Sequence, residues 1–347
     1  MKIENLMREN IRSLKPYTSA RDSFLEGILL DANENGFGSV WDEYEMLNRY
    51  PDPNHGELRK VTGELFGIDP KNLFFGVGSD EIIDLLIRVF CIPACDKVMI
   101  TTPSYGMYEV ACDVNDVKVT TIELDDSLQL DVDVMLDRVD DKTKIIFVCS
   151  PNNPTGNLIC TQDILKLCNE TESIVVVDEA YIDFCEENSL IHEVKNHENL
   201  VVTRTFSKAW GMAGLRCGFC VANEMIVETL YKVKAPYNLN MLTQHGAIKA
   251  VKNNRKRDEF IKNIISEREK LINELENTEG VIKVYPSDAN FIIFQVKEPD
   301  HVYEVLVQKG VIIRNRSRMP KIKGCLRVTV GNNEENKIFM EELKRIL

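Results

Sequence analysis

From about residue 55 to residue 235 the chain alternates short apolar runs with segments whose apolar positions recur at helical spacing. The runs "KVMITTP" (97–103), "KVTTIEL" (118–124), "KIIFVCS" (144–150), "SIVVVDE" (173–179), "LVVTRTF" (200–206) and "RCGFCVA" (216–222) read as strands. Between them, "DEIIDLLIRVF" (80–90), "TQDILKLCNE" (161–170) and "EMIVETLYKV" (224–233) read as helices. Near-continuous apolar runs belong to strands buried on both faces, and strands separated by helices make a mostly parallel sheet. Near Pro236 the pattern changes. A charged helical stretch over 251–277 leads into "VIKVYPSDANFIIFQV", "HVYEVLVQKG", "VIIRN", "CLRVTVG" and a closing helix, which predicts a smaller α+β unit. The expected fold class is α/β: a large domain over 36–238, its mostly parallel sheet covered by helices on both faces, and a small C-terminal domain over 239–347. Residues 1–35 are expected to form an N-terminal arm and part of the small domain. No internal repeat or low-complexity linker interrupts this order.

Charge and cysteine usage narrow the partners. A formal net charge of −13 with no long basic stretch argues against nucleic acid. No segment has the roughly 20 apolar residues needed to span a bilayer, and "MKIENLMREN" lacks the apolar run of a secretory signal. The 10 cysteines are scattered, as reduced core thiols of a cytoplasmic protein would be. Cys217 and Cys220 form a Cys-x-x-Cys, but in a strand that offset points the two side chains to opposite faces. The histidines show no ligand spacing, so no metal is expected.

Several polar groups fall at strand ends. Gly78-Ser79-Asp80 opens a helix, whose N-terminus offers free N–H groups to an anion. "SPNNPTG" (150–156) is a tight loop that presents Asn153. "VVVDEAY" closes a buried run with Asp178 and then Tyr181, and a carboxylate there needs a cation or donors. "RTFSKAWGMAGLRCGF" (204–219) sets Lys208 and Arg216 among Phe206, Trp210, Met212, Leu215 and Phe219, where charge is costly unless something meets it. Each motif alone also fits a plain cap, turn or buried strand. One ligand uses all of them together: pyridoxal phosphate, whose aldehyde needs an amine, its phosphate donors and positive charge, and its ring nitrogen a carboxylate.

The ordered set "GSDE", "SPNNPTG", "DEAY", "SKAWGMAGLR" resembles the aspartate-aminotransferase-like, fold type I enzymes. "KPYTSAR" (15–21), "DANEN" (31–35), "RYPDP" (49–53), "TPSYGMY" (102–108), "GVIIRN" (310–315) and "GCLRVTVG" (324–331) further resemble the histidinol-phosphate aminotransferase family, nearly end to end. The resemblance implies a transaminase that interconverts L-histidinol phosphate and 2-oxoglutarate with imidazole acetol phosphate and L-glutamate. It implies that Lys208 holds the cofactor as a Schiff base and then serves as general acid and base, and that Asp178 keeps the pyridine nitrogen protonated. Asn153 and Tyr181 would bond the ring's phenolic oxygen, and Tyr105 would stack on the ring. Ser79, Asp80, Ser207 and Arg216 would hold the phosphate. Tyr50 would reach the phosphate of a second subunit, which makes the protein a homodimer with shared sites. Substrate would fall to Tyr17, Asn33, Arg314 and Arg327, since an arginine fork binds carboxylate and phosphate alike.

Other readings of the same motifs are an aromatic-amino-acid aminotransferase or a phosphothreonine decarboxylase of this fold, and "YPDP" with "GCLRVTVG" leans toward the histidinol-phosphate aminotransferase rather than the decarboxylase. A regulatory protein binding the same cofactor would need a DNA-binding domain, for which no residues remain. A Rossmann enzyme would need a Gly-x-Gly-x-x-Gly after its first strand, which is missing.

Overall fold

The fully apolar runs become the middle of a sheet. In a computed structural model, which describes residues 3–347 apart from 42, 44 and 45, seven strands form the larger sheet. They are β1 (Leu73–Val77), β2 (Lys97–Thr102), β3 (Lys118–Glu123), β4 (Thr143–Cys149), β5 (Ile174–Asp178), β6 (Leu200–Thr205) and β7 (Cys217–Val221). Their order across the sheet is β1-β7-β6-β5-β4-β2-β3. Strands β3, β2, β4, β5 and β6 pair in parallel, while β7 runs antiparallel to both β6 and β1. The six strands expected from the sequence begin and end within about a residue of those observed. β1 was not anticipated: "LFFGV" is only five residues long and carries an interior glycine, which weakens a strand signal.

Burial on both faces explains the continuous apolar runs. Along β4, Ile145, Phe147 and Cys149 enter one core while Ile146 and Val148 enter the other. Cys217 and Cys220 are both buried free thiols and divide between the same two cores, as the offset of three required. Of the N-terminal segment, Ile3 and Met7 pack into the second core.

The smaller sheet has the order β10-β11-β9-β8, with β8 (Val281–Val284), β9 (Phe291–Val296), β10 (Arg314–Asn315) and β11 (Cys325–Thr329) all antiparallel. Leu326, Val328, Phe294 and Leu306 belong to its own core. The helical stretch expected over 251–277 is the helix Asn254–Glu276, and a second helix, Met241–Lys252, precedes it across a break at Asn253. Asparagine favours such a break because its side chain competes for backbone partners. The Asn254–Glu276 helix is tied to the large sheet by buried charge: Asp183 lies 2.9 Å from Arg204 on β6 and 3.5 Å from Arg257.

The turn from β1 into the Gly78–Phe90 helix is fixed by close backbone packing. Gly78 has φ +71 and its N–H donates to the Arg216 carbonyl at 3.0 Å. Gly218 on β7 lies so close beneath that a Cβ there would stand 2.5 Å from the Ser79 nitrogen and 2.6 Å from the Gly78 carbonyl carbon. Backbone cannot yield as a flexible side chain can. Gly218→Ala should therefore destabilise the protein by about 1–3 kcal/mol and speed hydrogen exchange at the Gly78 amide, which is bonded to the Arg216 carbonyl. Gly214→Ala, with nothing within 4 Å of the added carbon, should stay within about 0.5 kcal/mol of the parent. Equal denaturation midpoints for the two variants would refute this account of the turn.

Candidate active site

The carboxyl ends of β1, β4, β5 and β6 converge on one pocket, the usual ligand position in a parallel sheet. It is lined by Ser79, Asp80, Tyr105, Asn153, Asp178, Tyr181, Ser207, Lys208 and Arg216, together with Gly78, Cys149, Ala180, Thr205 and Ala213. Nine candidate residues from six stretches of chain thus share a single cavity.

At its floor, Asp178 ends β5 and is 3% exposed. Its carboxylate accepts from the Tyr108 hydroxyl at 2.8 Å, the Thr203 hydroxyl at 3.2 Å and the Ala180 N–H at 3.2 Å. All three donors are neutral. Burial pushes this carboxyl above its ordinary value, and the hydrogen bonds from Tyr108, Thr203 and Ala180 only partly offset that rise. A buried carboxylate with neutral partners is a receptor for a cation, such as a protonated ring nitrogen.

On the wall, Lys208 stands with its Nζ 5.3 Å from the Tyr181 ring centroid. Burial first, and then Arg327, push its amine below the ordinary lysine value. A larger share of neutral, nucleophilic amine results at physiological pH. Tyr181 itself packs edge-on against Phe291.

The pocket is also lined by the first residues of the Gly78–Phe90 helix, with their N–H groups and the positive end of the helix dipole. Arg216, in left-handed backbone conformation at φ 53, turns its guanidinium onto the Asp80 carboxylate at 3.2 Å. Asp80 also accepts from the Tyr105 hydroxyl at 3.1 Å, and Ser207 adds a hydroxyl held by Thr205 at 3.1 Å. This end presents backbone amides, a hydroxyl and a cation to an anion.

Arg327 reaches the mouth from the small sheet, donating to the Asn153 side-chain oxygen while packing over Phe291. Arg314 lies opposite it on β10 but is exposed. Three candidates are elsewhere on this chain. Tyr50 is 48% exposed and stacks on Tyr237, Tyr17 is 76% exposed in a recess with Asp22 and Arg59, and Asn33 is exposed at φ 54.

The sequence reading missed several supporting groups. Tyr108, stacked 4.8 Å from Phe147, makes the shortest hydrogen bond to Asp178; three residues after Tyr105 on a helix, it reads as core. Thr203 was hidden in a β-branched strand. Asn152, beside Asn153, bonds Pro103, Thr155 and Ser104 and so locks the "SPNN" loop to the "TPSY" loop. Its signal was present, since "NN" between two prolines offers one amide for the site and one for the scaffold.

The class I and II aminotransferase model matches residues 28–343, and the chain belongs to that family. Among curated relatives, a histidinol-phosphate aminotransferase from Cytophaga hutchinsonii is 45% identical over 99% of this chain and 98% of its own length. A solved structure of the histidinol-phosphate aminotransferase from Clostridium acetobutylicum is 26% identical, with TM-score 0.80 over 86% of this chain and 91% of that one. That of the Sinorhizobium meliloti histidinol-phosphate aminotransferase, in complex with pyridoxal-5'-phosphate, shares the fold at TM-score 0.80 and 20% identity, covering 86% of this chain and 82% of its own.

The residues present fit pyridoxal phosphate. Asp178 offers a buried anion, Lys208 an amine, and the Gly78 turn a phosphate cradle that a side chain at Gly78 would fill, its Cβ lying 2.7 Å from the Arg216 guanidinium. The charge on Asp178 has a consequence for stability. A carboxyl raised in the folded state contributes stability that is complete below its unfolded value and is lost as pH rises through its folded value. At neutral pH the cofactor-free protein therefore bears a cost there. Asp178→Asn should melt a few degrees higher than the parent when both lack cofactor at neutral pH, with the gap closing below about pH 4. In turnover the same variant should lose at least about 100-fold. A cofactor-free variant that melts at or below the parent at neutral pH would show that Asp178 is satisfied by its neutral donors.

Proposed function

We propose that the chain is a histidinol-phosphate aminotransferase of histidine biosynthesis, a cytoplasmic homodimer that moves an amino group between L-histidinol phosphate and 2-oxoglutarate. The observation that carries the reading is the Arg327 guanidinium, bonded to Asn153, which lines the Lys208 pocket. Full-length similarity to curated relatives of that name supports it.

When bound, pyridoxal phosphate supplies an electron sink for the pair left at the substrate's Cα. The chain's own residues do the rest. Asp178 keeps a proton on the ring nitrogen. With the group bound, the Lys208 amine, pushed below its ordinary value, would take the proton from the substrate's Cα and deliver it to the cofactor's C4′ carbon. Asn153 and Tyr181 would hold the ring's phenolic oxygen and Tyr105 the ring itself, all three lining the pocket. Ser207, Arg216 and the amides of Ser79 and Asp80 fix the phosphate. Arg314 and Arg327 receive the phosphate of one substrate and the carboxylate of the other.

The shared site rests on the exposed stretch before residue 51. Phe24, Leu25, Ile28, Leu30, Phe37 and Val40 are large apolar residues with more than half of their surface exposed, an arrangement that favours burial against a partner. On this reading Tyr50 serves a second copy's cofactor phosphate, and Tyr17 and Asn33 serve its substrate.

Lys208→Ala should abolish turnover while the fold persists. Mixing it with the equally impaired Tyr50→Ala should restore activity, because half of the sites in a heterodimer are intact. Verified subunit exchange without recovery would argue against sharing. Arg327→Ala should weaken histidinol phosphate and 2-oxoglutarate alike, by roughly 2–5 kcal/mol each, measured as kcat/KM in the two half-reactions. A loss confined to one of the two would contradict its double duty.

A further inference from the structure

Three arginines share one face of the small sheet. Strand β10 sets Arg314 against Arg327 and Asn315 against Leu326, and the Arg316 N–H continues the ladder to the Cys325 carbonyl at 3.0 Å. Side chains alternate along a strand, so Arg314, Arg316 and Arg327 project to the same side. The other side holds Ile313, Leu326 and Val328 in the small-sheet core, whereas Cys325 joins the core of the large sheet. The arginine side therefore faces the large unit. There Arg327 bonds Asn153, and the Tyr181 phenol lies near enough to influence Arg316 and Arg327 alike.

Such a grouping is unfavourable by itself. Like charges opposed across a strand pair destabilise it, and a desolvated guanidinium needs an anion. Among the described residues, none of the three forms a salt bridge. Asp300, the carboxylate beside β10, accepts from Asn315 at 2.6 Å and pairs with Arg318 at 3.7 Å. The Nε atoms of Arg316 and Arg327 are both buried without a hydrogen-bond partner. Burial, then the charge on Arg314, pushes Arg316 below its ordinary value. Burial does the same to Arg327, with Arg316 and Arg314 adding to it against Tyr181.

We propose that Arg316 is a third anion-binding arginine of the substrate site, and that it makes the site prefer a phosphate monoester dianion to a carboxylate. A carboxylate has two oxygens, which one guanidinium fork satisfies. A phosphate ester presents three acceptor oxygens and nearly two charges, so it draws on donors from more than one direction. The inference rests on the proposed function and adds to it the residue that discriminates between the two substrates.

The test uses the cofactor-loaded enzyme with histidinol phosphate, histidinol and glutamate as separate amino donors. In Arg316→Gln, KM for histidinol phosphate should rise about 10-fold or more while kcat changes less than about threefold. The unphosphorylated donors should each change less than about threefold. Arg316→Lys should regain part of the loss, because charge returns without the planar fork. Inorganic phosphate, used as a competitive inhibitor of the glutamate half-reaction, should weaken in Arg316→Gln in parallel with histidinol phosphate. Equal losses with all three donors, or phosphate inhibition unchanged by the substitution, would overturn the role of Arg316. A parent enzyme that ignores histidinol phosphate, yet whose phosphate inhibition depends on Arg316, would remove the substrate reading and leave the anion site standing.

Discussion

The arrangement of this protein depends on a carboxylate placed where water cannot reach it. Asp178 ends a strand whose preceding residues Ile174, Val175, Val176 and Val177 are all buried, and its partners are two hydroxyls and one amide. A packed core of apolar side chains could not hold that charge alone, because transfer out of water costs far more than neutral hydrogen bonds return. The site makes sense as half of an ion pair whose other half arrives with the cofactor. Tyr108 is fixed by its stack on Phe147 so that the one strong donor approaches from a constant direction.

Across the same pocket the polarity is reversed. The Gly78 turn, the helix it opens, Ser207 and Arg216, itself paired with Asp80, bring amides, a hydroxyl and a guanidinium to the pocket that Asp178 lines. A ligand with a cationic ring nitrogen at one end and a phosphate at the other is therefore oriented before any chemistry begins. Lys208 lines the same pocket, and burial, then Arg327, push its amine below the ordinary lysine value. Orientation by opposed fixed charges needs no reorganisation at the moment of reaction, which is what makes such sites effective.

Much of this was legible because chemistry-bearing residues come directly after apolar strands. Asp178 ends such a run, and Asn153 and Lys208 follow one within three or four residues, so polarity there stands out. The strand β1 did not announce itself, since five residues with Gly76 inside carry little periodic signal. Tyr108 and Thr203 act through contacts with a residue distant in sequence, and nothing local separates a supporting hydroxyl from a packed one. Arg316 was lost in "RNRSR", where charge density reads as a solvated loop; only the pairing of β10 with β11 puts Arg314 and Arg316 on the side of the sheet that carries Arg327. The buried Arg204–Asp183–Arg257 group was invisible for the same reason: its members come from a strand, a turn and a distant helix.

The place of β1 at the sheet edge bears on how the protein is made. Its neighbour in the sheet is β7, the last strand of the seven to leave the ribosome. The Gly78 turn leans on Arg216 and Gly218, and the Arg216–Asp80 contact joins residues 136 positions apart. A nascent chain that stops short of β7 has β1 without a partner and no cradle for a phosphate, however well its middle strands have paired. Cofactor capture is thereby a readout of a finished large sheet, and an incomplete chain is left with an open, apolar strand edge of the kind that invites aggregation.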